Sequence, residues 1–454
     1  MAPFRRGYDS QMPRSSVALK QYAQFAAGGL VLFAIGVYHL ATINRTPFWG
    51  DEGGWVGRSA GWYLLIEGNF DDPFWSTHAI DQPMLPSYAF GIVGTLSGYG
   101  RSTINKVYDY GKTYERNRQE GYVPDDVLLW RCRAVSTVFG VLACAVAMGV
   151  VWRLTGPVGG LAVGVLVGIN PHFMRMTHRA MSEGLVSFWL LVTWFVSLLF
   201  VEALTHRKAR QAWRRAVLLG LAAGLGTISK LTGVAAFFAV VGIGLVHVLQ
   251  AKRTPSAKRR KGRWRLPAKT TAVAIGVGCL VFLAQSPTTW RSPLGGTYRM
   301  LQWRKRVAET QRTHLTEHLV HGHADRVETF TARVWHDMGT FAAWGVSKRL
   351  RMPWLDGWLF IWGLLWLLLA QRRARIAEDV LRWRQIIAVW IWMLALNLPV
   401  LLLMPADVSS YYLSPFIASA VVQAMGLGLS LQYLIGRLAS RRRRSRVEEE
   451  QQAV

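Results

Sequence analysis

The chain has 454 residues, is 51% hydrophobic with 21 tryptophans, and carries a formal net charge of +27. So basic a balance in a soluble protein would point to nucleic acid, but these cations lie between long apolar runs and form no basic face, so no nucleic-acid partner is expected. The runs GVLACAVAMGVV, VSFWLLVTWFVSLLFV, VAAFFAVVGIGLVHVL and GWLFIWGLLWLLLA approach the roughly 20 residues that cross a bilayer, which makes this an all-α polytopic membrane protein.

In chain order, Arg5, Arg6, Arg14 and Lys20 form a basic tail, residues 1–22, ahead of a first apolar run at about 23–43. That run is too long and too poorly flanked for a cleaved signal peptide, and no A-x-A-like site follows it. Further spans are expected at roughly 131–152, 157–172, 184–203, 215–230, 232–250, 270–287, 357–370, 385–404 and 415–436, ten in all. A second basic tail, 437–454, contains RRRRSR from Arg441 and ends in the solvated VEEEQQAV. Short basic loops occur at THRKARQAWRR, AKRTPSAKRRKGRWR and QRRARIAEDVLRWR. Positive charge marks the cytoplasmic side, so both termini and these loops are expected inside and the number of spans is even. Parity decides PMLPSYAFGIVGTLSGYG, Pro83 to Gly100: as a full crossing it would put two basic loops outside, so it is expected to be a short helix at the outer interface. The three cysteines, Cys132, Cys144 and Cys279, suit neither a disulfide framework nor a zinc site and are expected to be packing residues.

The transmembrane region 23–436 then carries two large outer loops. The first, about 44–130, is acidic, with eleven carboxylates against seven Lys or Arg, and begins TPFWGDEGGWVGRSAGW. The second, about 288–356, is mixed, helical in its periodicity from Tyr298 to Leu319, and rich in Arg, His and Trp. Polar residues near span ends gather on this side: Asp51 and Glu52, Asp81, Arg179 and Glu183, Lys230, and Asp407 with Tyr411 and Tyr412. Ionisable groups at this depth are costly unless paired or facing a wet cavity, so their convergence predicts a site. Taken singly, each has a plainer reading as a helix cap or a group in the headgroup layer. One member of a carboxylate pair can take a proton from an acceptor while the other positions it or holds a divalent cation. Arg179 and Lys230 suit a phosphate, because they can neutralise charge growing on a departing oxygen.

Six segments in order carry a family resemblance: GDEGGWVGRSAGWYLLIEGNF, IDQPMLPSYAFG, LWRCRAVSTVFGVL, INPHFMRMTHRAMSEGLVSFW, GLAAGLGTISKLTG and YYLSP. Over roughly 20–250, and loosely beyond, the chain resembles the GT-C glycosyltransferases, most of all the protein O-mannosyltransferase and aminoarabinose-transferase group. The resemblance implies a GT-C-type transmembrane helix bundle of about ten spans with a helical first outer loop. It implies a polyprenyl-phosphate-linked sugar as donor, a protein, lipid or glycan as acceptor, and an active site on the extracytoplasmic face of the plasma membrane. Asp51 falls on the family's catalytic base with Glu52 beside it, while Asp81 and Glu183 fall on acidic site positions. Arg179, Lys230, Trp55 and Tyr411 complete the expected substrate- and donor-binding set. A divalent cation (Mg or Mn), if one is used, would be held by Asp51, Asp81 and Glu183. Inversion of the sugar is implied, with polyprenyl phosphate leaving. Gln82 stands where many relatives have Lys, and Met84 replaces the second Pro, which leaves the donor phosphate to Arg179, Lys230 or the second large loop. The segment RSTINKVYDYGKTYERNRQEGYVPDD, residues 101–126, has no counterpart in the family. With no large C-terminal soluble domain, an oligosaccharyltransferase catalytic subunit is not expected.

Rival signals are weaker. In HLTEHLVHGH, His314 and His318 would share a helix face as zinc ligands do, but the pattern is not HExxH and solvated histidines are the plainer reading. Trp354, Trp358, Trp362 and Trp366 read as interface anchors, whereas Trp49, Trp55 and Trp62 are candidates for sugar or lipid contact. The other functional class is a glycolipid transporter or flippase using the outer charges as a vestibule. It would carry polar or broken helices at the midplane and repeated halves, and the charges here cluster at outer ends instead.

Overall fold

A computed structural model describes residues 14–253, 263–314, 319–404 and 406–452. Those residues form no strand beyond one isolated bridge between Leu319 and Ala406. Helix α1 (Arg14–Thr42) leads into an outer loop with α2 (Gly50–Gly57), α3 (Ala60–Ile66) and α4 (Leu85–Leu96). The bundle continues with α5 (Asp126–Thr155), α6 (Pro157–Gly168), α7 (Pro171–Thr177), α8 (Glu183–Thr205), α9 (Ala209–Ser229), α10 (Ala235–Arg253) and α11 (Arg265–Leu283). A second loop carries α12 (Pro293–His314) and α13 (Gly322–Thr331), and α14 (Leu355–Ile376), α15 (Val380–Leu403) and α16 (Leu413–Gln452) complete the bundle.

A helix stands at each of the ten expected span positions. By length and apolarity seven qualify as spans among the described residues, or eight with α6 and α7 taken as one bent span. The two that fall short are α9, which begins ARQAWRR, and α14, which ends QRRARI and is diluted by tryptophan. Ten is therefore an approximate count for a multi-pass bundle. At twelve residues, α4 reaches only about 18 Å and cannot cross, in keeping with its expected place in the outer loop.

Local chemistry moves several boundaries. Helix α5 starts at Asp126, five residues earlier than expected, because the Asp125 carboxylate accepts from the backbone N–H groups of Val127 (2.8 Å) and Leu128 (3.0 Å). The expected span 157–172 is broken: α7 turns 65° from α6. Asn170 caps α7 by accepting from Phe173 N–H at 2.9 Å, and Pro171 opens it where a missing N–H costs nothing. The Asn170 amide also donates to Met338 O at 3.0 Å, tying this elbow to the second loop. Helix α16 runs on to Gln452 instead of ending near 436, since after Gly436 the chain has no helix breaker and is rich in Arg, Glu and Gln.

The main core joins the bundle helices around Trp194 and Trp392, whose rings stack at 5.4 Å. A second cluster, including Trp55, Val56, Phe90, Leu128, Cys132 and Ala180, seats the first loop on α5. A third, including Val320, Phe330, Val334 and Tyr412, seats the second loop. Cys132 and Cys144 are buried as expected, but Cys279 is exposed. It lies on the far side of α11 from the face (Ala274, Val277, Gly278, Val281) that meets the glycines of α9. Arg5, Arg6, most of the 251–265 basic loop, Glu317 and His318 lie outside the described residues.

Candidate active site

Asp51 and Glu52 occupy the first turn of α2, about 100° apart around the helix, and meet different surroundings. Asp51 is half-buried and lines a cavity of about 330 Å³ together with Trp49, Tyr108, Tyr110, Arg179 and Ser409. Its carboxylate accepts a hydrogen bond from the Tyr110 hydroxyl. Burial, followed by the Asp51 charge, pushes the Tyr110 phenol above its usual value, so it remains a proton donor.

Glu52 turns inward and is 0% exposed. Arg133 of α5 donates to it from Nε and Nη2, each at 2.7 Å, and the backbone N–H groups of Ala180 (2.8 Å) and Trp49 (3.0 Å) complete its shell. The expectation of Glu52 as a second catalytic carboxylate, positioning the acceptor or holding a cation beside Asp51, does not fit this position, because every direction in which it could accept a proton is occupied. It instead joins the residue after Asp51 to the residue after Arg179 through one buried ion.

Arg179, on the turn between α7 and α8, is 8% exposed. Its guanidinium lies over the Trp49 ring at 4.8 Å, makes no ion pair among the described residues, and has an unpartnered Nε. Burial lowers its pKa, and the charges of Glu52, Glu183 and Asp51 work against that shift. A buried cation without a protein counter-ion is costly, and the open direction is the cavity.

The other expected site residues are placed apart from this pair. Glu183 and Lys230 bond each other at 2.7 Å, with Glu183 1% exposed, so Lys230 is already neutralised at the ends of α8 and α9. Asp81 accepts from Arg58 of the first loop, and from Trp303 Nε1 (3.0 Å) and Arg304 (3.4 Å) of α12, which makes it a latch between the two outer loops. Trp55 is 4% exposed inside the second cluster, closed to a sugar; Trp49, 51% exposed, is the tryptophan at the cavity. Tyr411 donates to Gln311 Oε1 at 3.0 Å, and its neighbours Val408 to Ser410 line the cavity in its place. Arg333 holds Asp407 in an ion pair.

The three carboxylates expected to hold a divalent cation do not converge. Asp51 is engaged by Tyr110, Asp81 by Arg58 and Arg304, and Glu183 by Lys230. Among the described residues no group of three His, Cys, Asp or Glu side chains is placed to hold a metal. Of the histidine cluster, His321 and His323 are exposed.

Tyr108 and Tyr110, which line the cavity, come from the 101–126 segment. They reach α2 because Gly50, Gly53 and Gly57 leave one helix face bare. A Cβ at Gly57 would sit 2.7 Å from Lys106 O, and one at Gly50 would sit 2.8 Å from the Tyr108 ring. The Asn105 amide donates to Gly53 O (2.9 Å) and Tyr122 O (3.1 Å), locking the segment down. Farther out, Glu120 accepts from Lys112 (2.6 Å) and Arg116 (2.8 Å), which bring its carboxyl down to about 2. The glycine spacing was the sequence signal for this docking.

Residues 104–288 match the family model for dolichyl-phosphate-mannose-protein mannosyltransferases. No curated protein sequence matches the chain. Among solved structures, the oligosaccharyltransferase AglB from Archaeoglobus fulgidus, in complex with an inhibitory peptide and a dolichol-phosphate, is similar over 92% of this chain and 52% of its own. The identity is 16% and the TM-score 0.52. ArnT from Cupriavidus metallidurans, bound to undecaprenyl phosphate, is similar over 88% of this chain and 59% of its own, at 14% identity and a TM-score of 0.49. The chain thus spans between half and three-fifths of the length of these proteins. The likeness is one of fold, a GT-C-type transmembrane helix bundle with a helical first outer loop.

Proposed function

We propose that this chain is a membrane glycosyltransferase that moves a sugar from a polyprenyl-phosphate donor to a protein, lipid or glycan acceptor on the extracytoplasmic face of the plasma membrane. One observation carries the reading: Asp51 and Arg179 line a single cavity, a carboxylate beside a buried guanidinium that makes no ion pair among the described residues. The match to the mannosyltransferase family model and the dolichol-phosphate bound by AglB support the donor class.

In this reading the acceptor hydroxyl or amine attacks the anomeric carbon as its proton passes to Asp51, the general base. The bond from that carbon to the phosphate oxygen breaks on the opposite face, so the sugar inverts. The bonding pair leaves with polyprenyl phosphate, whose growing charge Arg179 neutralises. Phosphate leaves readily, and no strong general acid is required. Tyr110 occupies one Asp51 oxygen and so orients the other towards the acceptor. Glu52 is a positioning residue, setting base and cation relative to each other through Arg133, Trp49 and Ala180. Both termini lie in the cytoplasm, with residues 23–436 as the catalytic bundle.

The purified chain incubated with radiolabelled polyprenyl-phosphate sugars and membrane acceptors tests this. Wild type should release polyprenyl phosphate with at least one donor, and Asp51→Asn should not. Retained turnover in Asp51→Asn would remove the base assignment. No turnover with any donor, joined to movement of labelled glycolipid across vesicles, would replace the enzyme by a transporter.

A further inference from the structure

A smaller cavity, about 90 Å³, lies where the end of α14 meets the start of α15 and the flank of α16, lined by Trp366, Arg373, Asp379, Arg382 and Leu429 among others. Arg373 is 18 residues beyond Leu355, where the second outer loop ends, or roughly 27 Å along the helix. That is close to the thickness of the hydrocarbon core, so this cavity sits at the interface remote from Asp51. We propose that it binds the headgroup phosphate of a membrane phospholipid, a role separate from sugar transfer.

The cation is built for a ligand. The Arg373 guanidinium lies over Tyr433 at 4.5 Å and over Trp366 at 5.9 Å, and makes no ion pair among the described residues. The acid nearest in the lining, Asp379, is spent on capping α15, accepting from Arg382 N–H at 2.9 Å. Tyr433 and, farther off, Trp366 flank the guanidinium without accepting its N–H groups; a phosphate oxygen suits this fork. A volume near 90 Å³ leaves room for a phosphate group.

The surroundings favour a lipid over a soluble anion. Trp366 meets Trp362 edge-to-face at 5.8 Å and Tyr433 at a tilt at 5.5 Å, an aromatic belt of the kind found at headgroup depth. Next to it, Leu365 and Leu369 of α14 and Leu434 and Ile435 of α16 are exposed, offering acyl chains an apolar wall on either side. Arg372 and Arg375 are exposed on the last turn of α14 and add to the positive field.

Native mass spectrometry of the full chain, delipidated in mild detergent and titrated with phosphatidylglycerol, tests the site. Arg373→Ala should weaken the tightest bound lipid about tenfold, whereas Arg375→Ala, an equal loss of charge outside the cavity, should change it by less than about twofold. Arg373→Lys, which keeps the charge but loses the planar fork, should fall between wild type and Arg373→Ala, and it carries the comparison if Arg373→Ala fails to fold. Equal lipid binding by the Arg373 and Arg375 variants would overturn the proposal. So would displacement of the lipid by inorganic phosphate at equal concentration, which would make this a site for a free anion.

Discussion

Two carboxylates adjacent in the chain are set to different tasks by one residue of helical rotation. Asp51 faces a cavity and Glu52 faces a buried arginine, so the same change has different consequences at each. Asp51→Asn should lower turnover by about 10²- to 10⁴-fold with the thermal midpoint unchanged, measured on detergent-solubilised protein. Glu52→Gln should instead lower stability by about 3 kcal/mol, because it strands the Arg133 guanidinium at 7% side-chain exposure. Joining it to Arg133→Met should recover most of that stability in thermal unfolding without recovering activity. Arg179→Ala should lower kcat/KM for the donor about tenfold or more, the loss expected when a departing phosphate gives up a charged hydrogen bond. An unchanged kcat/KM for the donor would take the phosphate away from Arg179.

At the scale of elements, the site depends on a short glycine-faced helix and the segment that docks on it. Gly57→Ala pushes a Cβ to within 2.7 Å of the Lys106 carbonyl, backbone that cannot rotate aside. It should cost about 2 kcal/mol and detach Tyr110 from Asp51, with turnover falling further than stability alone accounts for. The outer part of the segment is held by Glu120 with Lys112 and Arg116. Those cations bring the carboxyl from its ordinary 4.5 to about 2, so the bound form is favoured at every pH above the ordinary value. That contribution is lost as pH falls through about 2, and because the group is exposed, salt should weaken it. A fluorophore on Ser102→Cys, in a Cys279→Ser background, should keep its anisotropy from pH 7 to about 4.5 and lose it progressively as pH falls from there towards about 2. Loss already near pH 6 would show that other groups hold the segment.

For the molecule as a whole, the two outer loops are latched at Asp81, where Arg58 of one and Trp303 and Arg304 of the other meet. The latch and the Asn170 elbow bring both loops to the bundle end that carries Asp51 and Arg179. The proposed topology places that end outside and both termini inside. Ser102→Cys should therefore react with a membrane-impermeant thiol reagent in intact cells, and Ser440→Cys only after permeabilisation. Equal labelling of the two would break the parity argument.

The ten helix positions, the short α4 and the grouping of polar residues near helix ends could all be read in the chain, since apolar runs, helix caps and loop charges act within a few residues of each other. Asp51 and Arg179 were legible as candidates for the same reason, as charges too costly to stand at a membrane edge without a task. Which neighbour meets that cost could not be read. Lys230 and Arg179 look alike in the chain, yet Glu183, 47 residues before Lys230, neutralises one and leaves the other open. Trp55 and Trp49 likewise exchange expected roles, because α2 turns the first into the core and leaves the second at the cavity. Tyr110 reaches Asp51 from 59 residues away, through glycines whose meaning depends on what packs against them. Local periodicity and the price of burying charge thus determined the bundle and its polar end. Only the tertiary structure decided which charges stay unpaired, because pairing is settled between helices that are distant in sequence.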